Sequence, residues 1–255
     1  MPLLELDNCT IHFEGVTAVS GLDLAVQPGE LIALIGPNGA GKTTVFNMIS
    51  GIYRPDAGDL RFAGRSIAGL PPHQVARAGI ARTFQNIRLF QDLSVLDNVR
   101  VAAYPAAPYP MSRALLRTAA FAKAENKLTA HAMRILRRLG LYDLRKLPAR
   151  SLPYGQQRRL EIARALATHP RLLMLDEPTA GMNPRETDAL MHLIRRVRDE
   201  FDLTVLLIEH DMRVVMGICE RVVVLDYGVV IAQGPPDVIR KDPGVIEAYL
   251  GEAPA

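Results

Sequence analysis

Short continuous runs of apolar residues, each followed by a longer stretch of mixed polarity, dominate the hydrophobic pattern of the chain. Such runs occupy Leu31–Ile35, 172–175, Thr204–Ile208 and 221–225. A short run without alternation is typical of a strand that is buried on both faces of a sheet. Strands of this kind with helices between them form a mostly parallel sheet, so the pattern predicts an α/β sandwich.

The first part of the chain has a different pattern, with β-rich segments over residues 3–26 that Gly15 and Gly21 interrupt. Segments joined by glycine breaks in this way are typical of antiparallel strands. We therefore expect an antiparallel β subdomain beside the parallel sheet.

A helical pattern replaces the strands over residues 94–150. A helix is expected over 111–139, ended by Gly140, and the proline-rich connector 104–110 before it cannot continue a helix. Residues 235–251 predict two short helices. The expected organisation is a core of residues 1–93 and 151–240, an inserted helical subdomain of residues 94–150, and a helical tail of residues 241–255.

Composition and charge narrow the class of protein. The 255 residues are 49% hydrophobic and 22% charged, as in an ordinary packed globule. None of the apolar runs approaches the roughly 20 residues that span a bilayer, and residues 1–5 lack the pattern of a secretory signal. The net charge of +3, the scattered arginines and the lack of tryptophan argue against a nucleic acid partner. We therefore expect a cytoplasmic location.

A glycine-rich motif follows directly after the run at Leu31–Ile35. Residues 36–43 fit G-x-x-x-x-G-K-[ST] between a predicted strand and a predicted helix, the context that a phosphate-binding loop requires. Backbone N–H groups and the helix dipole would bind phosphate, Lys42 would reach the β- and γ-phosphates, and Thr43 would ligate Mg²⁺. A glycine-rich turn with a chance lysine is the alternative. The predicted nucleotide-binding residues are Gly36, Asn38, Gly39, Ala40, Gly41, Lys42, Thr43 and Thr44.

Two adjacent carboxylates end the apolar run at 172–175. Asp176 is predicted to hold Mg²⁺ through water, which suits a hard cation that keeps part of its hydration shell. Glu177 is predicted to polarise the water that attacks the γ-phosphate. Two acids that merely face solvent at a strand end are the alternative.

Two further polar residues follow strand-like segments. Gln85 comes after 80–84 and is predicted to bridge Mg²⁺ and water, and His210 comes after Thr204–Ile208 and is predicted to contact the γ-phosphate. Motifs this short also arise by chance. A loop amide and an ordinary histidine at a strand end therefore remain open as alternatives.

The segment 152–156, Leu-Pro-Tyr-Gly-Gln, resembles the signature of the ABC ATPase family. The order of motifs also resembles that family, from the phosphate-binding loop through Gln85, the helical insert, the signature and the acidic strand end to His210. The resemblance implies a RecA-like P-loop NTPase core that binds ATP with Mg²⁺. It further implies head-to-tail dimers in which each ATP lies between the loop of one domain and the signature of the other. The signature residues assigned to ATP are Leu152, Tyr154, Gly155 and Gln156.

Other positions match or depart from the family pattern. Phe13 stands where the family has an aromatic residue that stacks on adenine, although a strand residue in the core is the alternative. Pro153 and Tyr154 stand where most signatures have serine and glycine, so a hydroxyl that would meet the γ-phosphate is missing. Asn183 replaces an aspartate of the segment 180–184, which puts in doubt the usual polar contacts across the dimer.

Several segments resemble more narrowly the ATP-binding subunits of branched-chain amino acid importers. They are residues 82–85, 152–164, 208–212, 215–218 and 245–252. This resemblance implies a second ABC ATPase subunit in a homo- or heterodimer, two integral membrane permease subunits, and an indirect link to a periplasmic or extracellular solute-binding protein. It also implies a peripheral position at the cytoplasmic face of the membrane.

Two other classes of ATPase are alternatives to an importer subunit. Soluble ABC ATPases of DNA repair or translation usually carry a long coiled-coil insertion or two nucleotide domains, and this chain has neither. A regulatory domain that binds ATP without hydrolysis is opposed by the presence of Glu177 and His210. If the chain serves a transporter, residues 86–109 are expected to receive a cytoplasmic helix of the membrane subunit on Ile87, Leu89 and Phe90.

Overall fold

The computed structural model describes residues 1–104 and 118–250. In chain order its strands are β1 (Leu4–Phe13), β2 (Val16–Val26), β3 (Leu31–Ile35), β4 (Ala57–Phe62), β5 (Arg65–Ser66), β6 (Ile80–Arg82), β7 (Leu172–Asp176), β8 (Thr204–Ile208), β9 (Arg221–Asp226) and β10 (Val229–Gly234). Its α-helices are α1 (Lys42–Ile49), α2 (Pro72–Ala78), α3 (Val95–Ala103), α4 (Ala119–Arg138), α5 (Tyr154–Leu166), α6 (Pro184–Phe201), α7 (Met212–Ile218), α8 (Pro236–Ile239) and α9 (Pro243–Leu250). Short 3-10 helices occupy Tyr142–Leu144 and Ala149–Ser151.

A six-stranded sheet forms the centre of the molecule, in the order β10-β9-β3-β8-β7-β6. All neighbours from β9 to β6 are parallel, and only β10 pairs antiparallel, at one edge. Every residue of β3, β7 and β8 is buried, as their continuous apolar runs predict. The predicted α/β sandwich is confirmed.

A second, four-stranded sheet has the order β2-β1-β4-β5 and is antiparallel throughout. It confirms the antiparallel strands expected from residues 3–26. Strands β4 and β5 lie much later in the chain and were not predicted. Strand β10 was also missed, because its residues alternate between exposed and half-buried instead of forming an apolar run. It returns from β9 through Tyr227 and Gly228, both with positive φ, as a two-residue type I′ hairpin requires.

Two hydrophobic clusters cover the two faces of the central sheet. Leu31, Ala33 and Ile35 of β3 belong to a cluster that α5 and α6 complete, whereas Ile32 and Leu34 belong to a cluster that α1 and the antiparallel sheet complete. Successive residues of a strand point to opposite faces, so β3 contributes to both clusters. The two clusters fix the central sheet between them, so the carboxyl ends of its parallel strands lie along one edge.

The inserted helical segment differs from the prediction at its start. A single helix was expected over 111–139, but α4 begins only at Ala119, because Thr118 has an extended backbone and its side chain caps the helix by accepting from Phe121 N. Gly140, with φ of 72°, follows the end of the helix as predicted. The connector residues 105–110 and residues 111–117 lie outside the described residues.

The two short helices expected within 235–251 are confirmed as α8 and α9. None of the helices in residues 1–104 and 118–250 combines the length and the apolar character that a membrane span requires.

Candidate functional site

The phosphate-binding loop lies between β3 and α1, and two of its glycines have no room for a side chain. A Cβ on Gly36 would lie 2.0 Å from the carbonyl oxygen of Leu225, and one on Gly41 would lie 2.6 Å from that of Ala18. Both residues also have positive φ, at 150° and 99°. The loop is therefore folded tightly against strands β9 and β2, a geometry that only glycine allows.

Lys42, the first residue of α1, extends over the start of the loop. Its Nζ donates to the carbonyl oxygens of Gly36 and Pro37 at 2.6 Å each. The ammonium thus lies at the end of a helix whose first N–H groups and dipole favour an anion. The other predicted residues surround this position, with Asn38, Gly39 and Thr43 exposed, Thr44 half-buried and Ala40 buried.

Asp176 ends β7 and is almost fully buried beside β6. Its backbone N–H donates to Thr83 Oγ1 at 3.4 Å, and its Oδ2 accepts from Arg82 Nη2 at 2.8 Å. The three groups predicted to hold Mg²⁺, the hydroxyl of Thr43, the amide oxygen of Gln85 and this carboxylate, all offer oxygen atoms. Such a set fits Mg²⁺, which is usually bound through one or two carboxylates together with substrate phosphates.

Glu177 brings the three predicted catalytic residues together. Gln85 Nε2 donates to Glu177 Oε2 at 2.9 Å, and His210 Nδ1 lies 3.9 Å from the same oxygen. These residues follow β6, β7 and β8, which are neighbours in the parallel sheet, so their carboxyl ends meet at one edge. Ligands of open α/β sheets bind at this edge.

The signature segment is joined to Gln85 by an arginine that the sequence did not single out. Arg158, on α5, donates from Nη1 to Phe84 O at 2.8 Å and from Nη2 to Gln85 O, and both Nε and Nη2 donate to the hydroxyl of Tyr154. Arg158 also pairs with Glu161 at 3.2 Å, and both side chains are buried. Burial raises the pKa of Glu161, an effect that the backbone N–H of Phe84 and the charge of Arg158 oppose.

The remaining signature residues lie at the start of α5. Leu152 is buried, Gly155 and Gln156 are half-buried, and Tyr154 is exposed. The helix is capped without a side-chain hydrogen bond, since Pro153 precedes it. The N–H groups of its first turn and its dipole therefore favour an anion from outside.

Glu209 is a second residue that the sequence analysis missed. It is fully buried, and its Oε1 accepts from Thr179 N at 3.1 Å and from Thr179 Oγ1 at 2.5 Å, while its Oε2 accepts from His210 N at 3.2 Å. These bonds tie His210 to the segment that follows Glu177. A charged residue that directly continues the apolar run of β8 was the available signal.

Phe13 lies at the end of β1 and is 39% exposed, which excludes the alternative of a strand residue in the core. Its ring meets that of Tyr53 edge to face, with centroids 5.0 Å apart. Asn183 caps α6, where its side chain and that of Glu186 form a reciprocal capping box. A local structural role thus accounts for Asn183.

Comparisons with known proteins agree with this geometry. Residues 19–180 match the family model described as ABC transporter, and residues 229–255 match that described as branched-chain amino acid ATP-binding cassette transporter. The chain is 48% identical to the high-affinity branched-chain amino acid transport ATP-binding protein BraF of Pseudomonas aeruginosa and 46% identical to LivG of Escherichia coli, with 99% of each chain covered. It is also similar to the crystal structure of an ATP-binding cassette in its ADP conformation, with a TM-score of 0.86, 29% identity, and coverage of 99% of this chain and 100% of that chain.

Proposed function

The chain belongs to the ABC transporter family of ATP-binding proteins, and from this membership we propose that it is the ATP-hydrolysing subunit of a branched-chain amino acid importer. The convergence of Gln85 and His210 on the carboxylate of Glu177 carries the catalytic part of this proposal. The transported class is supported by 46% to 48% identity to LivG and BraF over 252 residues.

ATP binding is assigned to the loop between β3 and α1. The N–H groups of the loop and of the first turn of α1 converge on the phosphates, and Lys42 adds a full positive charge. Its two bonds to carbonyl oxygens of the loop hold the ammonium in place before the nucleotide arrives. Mg²⁺, held by Thr43, Asp176 and Gln85, would neutralise charge on the transferred phosphoryl group.

Hydrolysis is assigned to Glu177, acting as general base on the attacking water. A base must lie within hydrogen-bond reach of the proton that it accepts, so the position of the carboxylate is the first requirement. Gln85 orients the carboxylate through Oε2. His210, anchored through its backbone to the buried Glu209, contacts the γ-phosphate and so makes the site sensitive to hydrolysis.

A second ATPase subunit, identical or homologous, completes the site. In this arrangement the start of α5 faces the γ-phosphate bound to the partner. The hydroxyl of Tyr154 accepts two hydrogen bonds from Arg158, so it is committed within its own chain. The backbone N–H of Gly155 and the dipole of α5 therefore make the contact.

Coupling to two membrane permease subunits is assigned to the surface beside Gln85. A cavity of about 380 Å³ opens beside Phe84, between α2 and α5, and Arg88 and Ala102 of the expected segment 86–109 line it. It combines apolar and charged side chains, a composition that suits an amphipathic helix. Its lining includes Val75, Ala76, Phe84, Arg88, Glu161 and Arg164. A subunit so attached is peripheral, at the cytoplasmic face, and meets a solute-binding protein only indirectly.

This function can be tested by purifying the complex from its native host through an affinity tag on this chain. We expect integral membrane proteins to co-purify, and phosphate release from the complex in vesicles to rise with leucine, isoleucine or valine and the cognate binding protein. Histidine in place of these amino acids is the control. Stimulation by histidine alone, or purification without any membrane protein, would contradict the proposal.

A further inference from the structure

Arg82 occupies a buried position between the end of β7 and the helix that follows the phosphate-binding loop. The side chains of Arg82 and Asp176 are 7% and 8% exposed. Arg82 Nη2 donates to Asp176 Oδ2 at 2.8 Å, and Nη1 donates to Asn47 Oδ1 at 2.7 Å and to Ser50 Oγ at 3.1 Å. One guanidinium therefore joins β6, β7 and α1.

The orientation of this guanidinium is further restricted by two aromatic rings. Arg82 Cζ lies 5.4 Å from the ring centroid of Phe46 and 5.2 Å from that of Phe84. Arginine suits this position because its planar, rigid fork presents several donors in fixed directions. A lysine would keep the charge but would offer one compact ammonium, which cannot hold the same three acceptors in the same geometry.

The hydrogen bond from Arg82 to Asp176 affects how the Asp176 carboxylate can bind a cation. A carboxylate this buried needs a charge partner, because an unpaired charge away from water is strongly disfavoured. Arg82 is that partner, and its fork engages the carboxylate through Oδ2 only. The same fork fixes the carboxylate relative to α1, the helix that begins with Lys42 and Thr43.

We propose that Arg82 is a positioning residue for the metal-nucleotide site, which sets the orientation of Asp176 and its separation from Thr43. The inference rests on the proposed function, since it concerns the cation that accompanies the nucleotide. Mg²⁺ demands near-ideal octahedral geometry, so a carboxylate that rotates or shifts binds it less well. Nucleotide binding without metal depends on the loop and Lys42 and is independent of Arg82.

The test is a titration of the purified full-length chain with Mn²⁺ in the presence of ADP, followed by electron paramagnetic resonance of the bound ion. In Arg82→Lys we expect the Mn²⁺ concentration for half-maximal binding to rise by about 10-fold to 100-fold, the usual effect of removing a partner of a metal ligand. ADP affinity in EDTA should equal that of the wild type. Arg221→Lys is the matched control. Arg221, the first residue of β9, pairs with Glu30 at 2.6 Å and takes no part in the contacts of Arg82.

Asn47→Ala provides a second variant, which removes one anchor of Arg82 and leaves the bond to Asp176. We expect a smaller rise in the same direction, and this variant decides the question if Arg82→Lys does not fold. Wild-type Mn²⁺ dependence in a folded Arg82→Lys, or equal losses of ADP affinity with and without metal, would overturn the inference. Failure of the wild-type chain to bind ADP at all would instead count against the proposed function.

Discussion

Glu177 combines a left-handed backbone conformation with a carboxylate that two other side chains approach. Its φ is 45°, which is strained for a residue with a side chain and costs on the order of 1–3 kcal/mol. Such strain persists only where surrounding contacts enforce it, and here the Glu177 N–H donates to Ile208 O at 3.0 Å. The strained backbone accompanies a carboxylate that lies within hydrogen-bond reach of Gln85, so the protein itself fixes the place of the proposed base.

The exposed ring of Phe13 leads to a prediction about nucleotide affinity. Phe13→Ala should weaken ATP binding by about 1–3 kcal/mol, the usual contribution of a base stacked on an aromatic side chain. A titration with a fluorescent ATP analogue measures the change. Phe13→Tyr keeps the ring and should bind like the wild type. Unchanged affinity in a folded Phe13→Ala variant would remove Phe13 from the site.

Outside the candidate site, the rings of His131 and His169 stack with their centroids 4.2 Å apart. Burial, together with electrostatic repulsion from His169 and Arg134, lowers the pKa of His131 to about 4 from its ordinary value of 6.5. At a pH between about 4 and 6.5, His131 therefore binds more protons in the unfolded chain than in the folded one. The free energy of unfolding therefore gains this contribution in full above about pH 6.5 and loses it as the pH falls towards 4.

This titration predicts a pH-dependent difference in stability between the wild type and a variant that keeps an aromatic ring at position 131. Relative to His131→Phe, which keeps a stacked ring but cannot be protonated, the wild type should lose about 1 kcal/mol between pH 7 and pH 5, after allowance for partial exposure. Urea unfolding at the two pH values measures it. If the free energies of unfolding of the two proteins changed equally with pH, the pKa of His131 would not be lowered in the folded state.

The segment between Gln85 and α3 is held in shape by one buried side chain. Asn98 Nδ2 donates to the carbonyl oxygens of Phe90, Leu93 and Ser94, and Asn98 Oδ1 accepts from Phe90 N at 3.0 Å. Phe90 remains 47% exposed, whereas Leu89 packs against the hydrophobic cluster that α5 and α6 complete. Of the three anchors expected from the sequence, Phe90 is thus the one best presented to a partner.

This geometry predicts that Phe90→Asp uncouples transport from ATP binding. Aromatic anchors that become buried in an interface dominate its binding energy. A carboxylate in place of the Phe90 ring should therefore reduce substrate-stimulated phosphate release severalfold to more than tenfold. ATP affinity should stay unchanged. The assay is phosphate release by the complex in vesicles.

Ile246→Asp on α9 is the matched control for that experiment, since Ile246 is 45% exposed. We expect normal coupling in this variant. Normal coupling in Phe90→Asp, or a crosslink from the membrane subunit to α9 alone, would contradict the assigned surface.

The elements that the sequence predicted well are those whose burial leaves a continuous apolar run. Strands β3, β7 and β8 have such runs. Glu177 and His210 meet because β7 and β8 are neighbours in the sheet, whose order β3-β8-β7 differs from the chain order. The roles of Arg82 and Arg158 did not follow, because long side chains reach partners 94 and 74 positions away in the chain. Only the folded structure identifies those partners. The domain limits at 93 and 150 stay a prediction.

Contacts of Arg158 connect the parts of the molecule that have to act together. This buried side chain links the start of α5 to the carbonyl oxygens on either side of the Phe84–Gln85 peptide. Gln85 in turn holds Glu177. We expect closure of a dimer on ATP to move α5, Gln85 and the surface around Phe90 as one unit, and hydrolysis to release it, a two-state use of γ-phosphate contacts.

Replacement of the base should separate ATP binding from ATP hydrolysis in the intact complex. Glu177→Gln keeps the size of the side chain and removes the proton acceptor, whose contribution is usually about 10² to 10⁴ in rate. ATP binding should survive, so closed dimers loaded with ATP should accumulate. In a heterodimer the residual turnover reports the other site. Glu200→Gln, on the exposed face of α6, is the matched control.

The deciding measurement is phosphate release by the complex carrying Glu177→Gln, alongside size-exclusion chromatography with ATP and Mg²⁺. We predict that hydrolysis at the site of this chain falls by at least about 100-fold. Purified without the permeases, the ATPase subunits carrying Glu177→Gln should also elute as an ATP-stabilised dimer, whereas Glu200→Gln should behave like the wild type. Hydrolysis at the wild-type rate in Glu177→Gln would contradict the assignment of Glu177 as the base and the mechanism built on it.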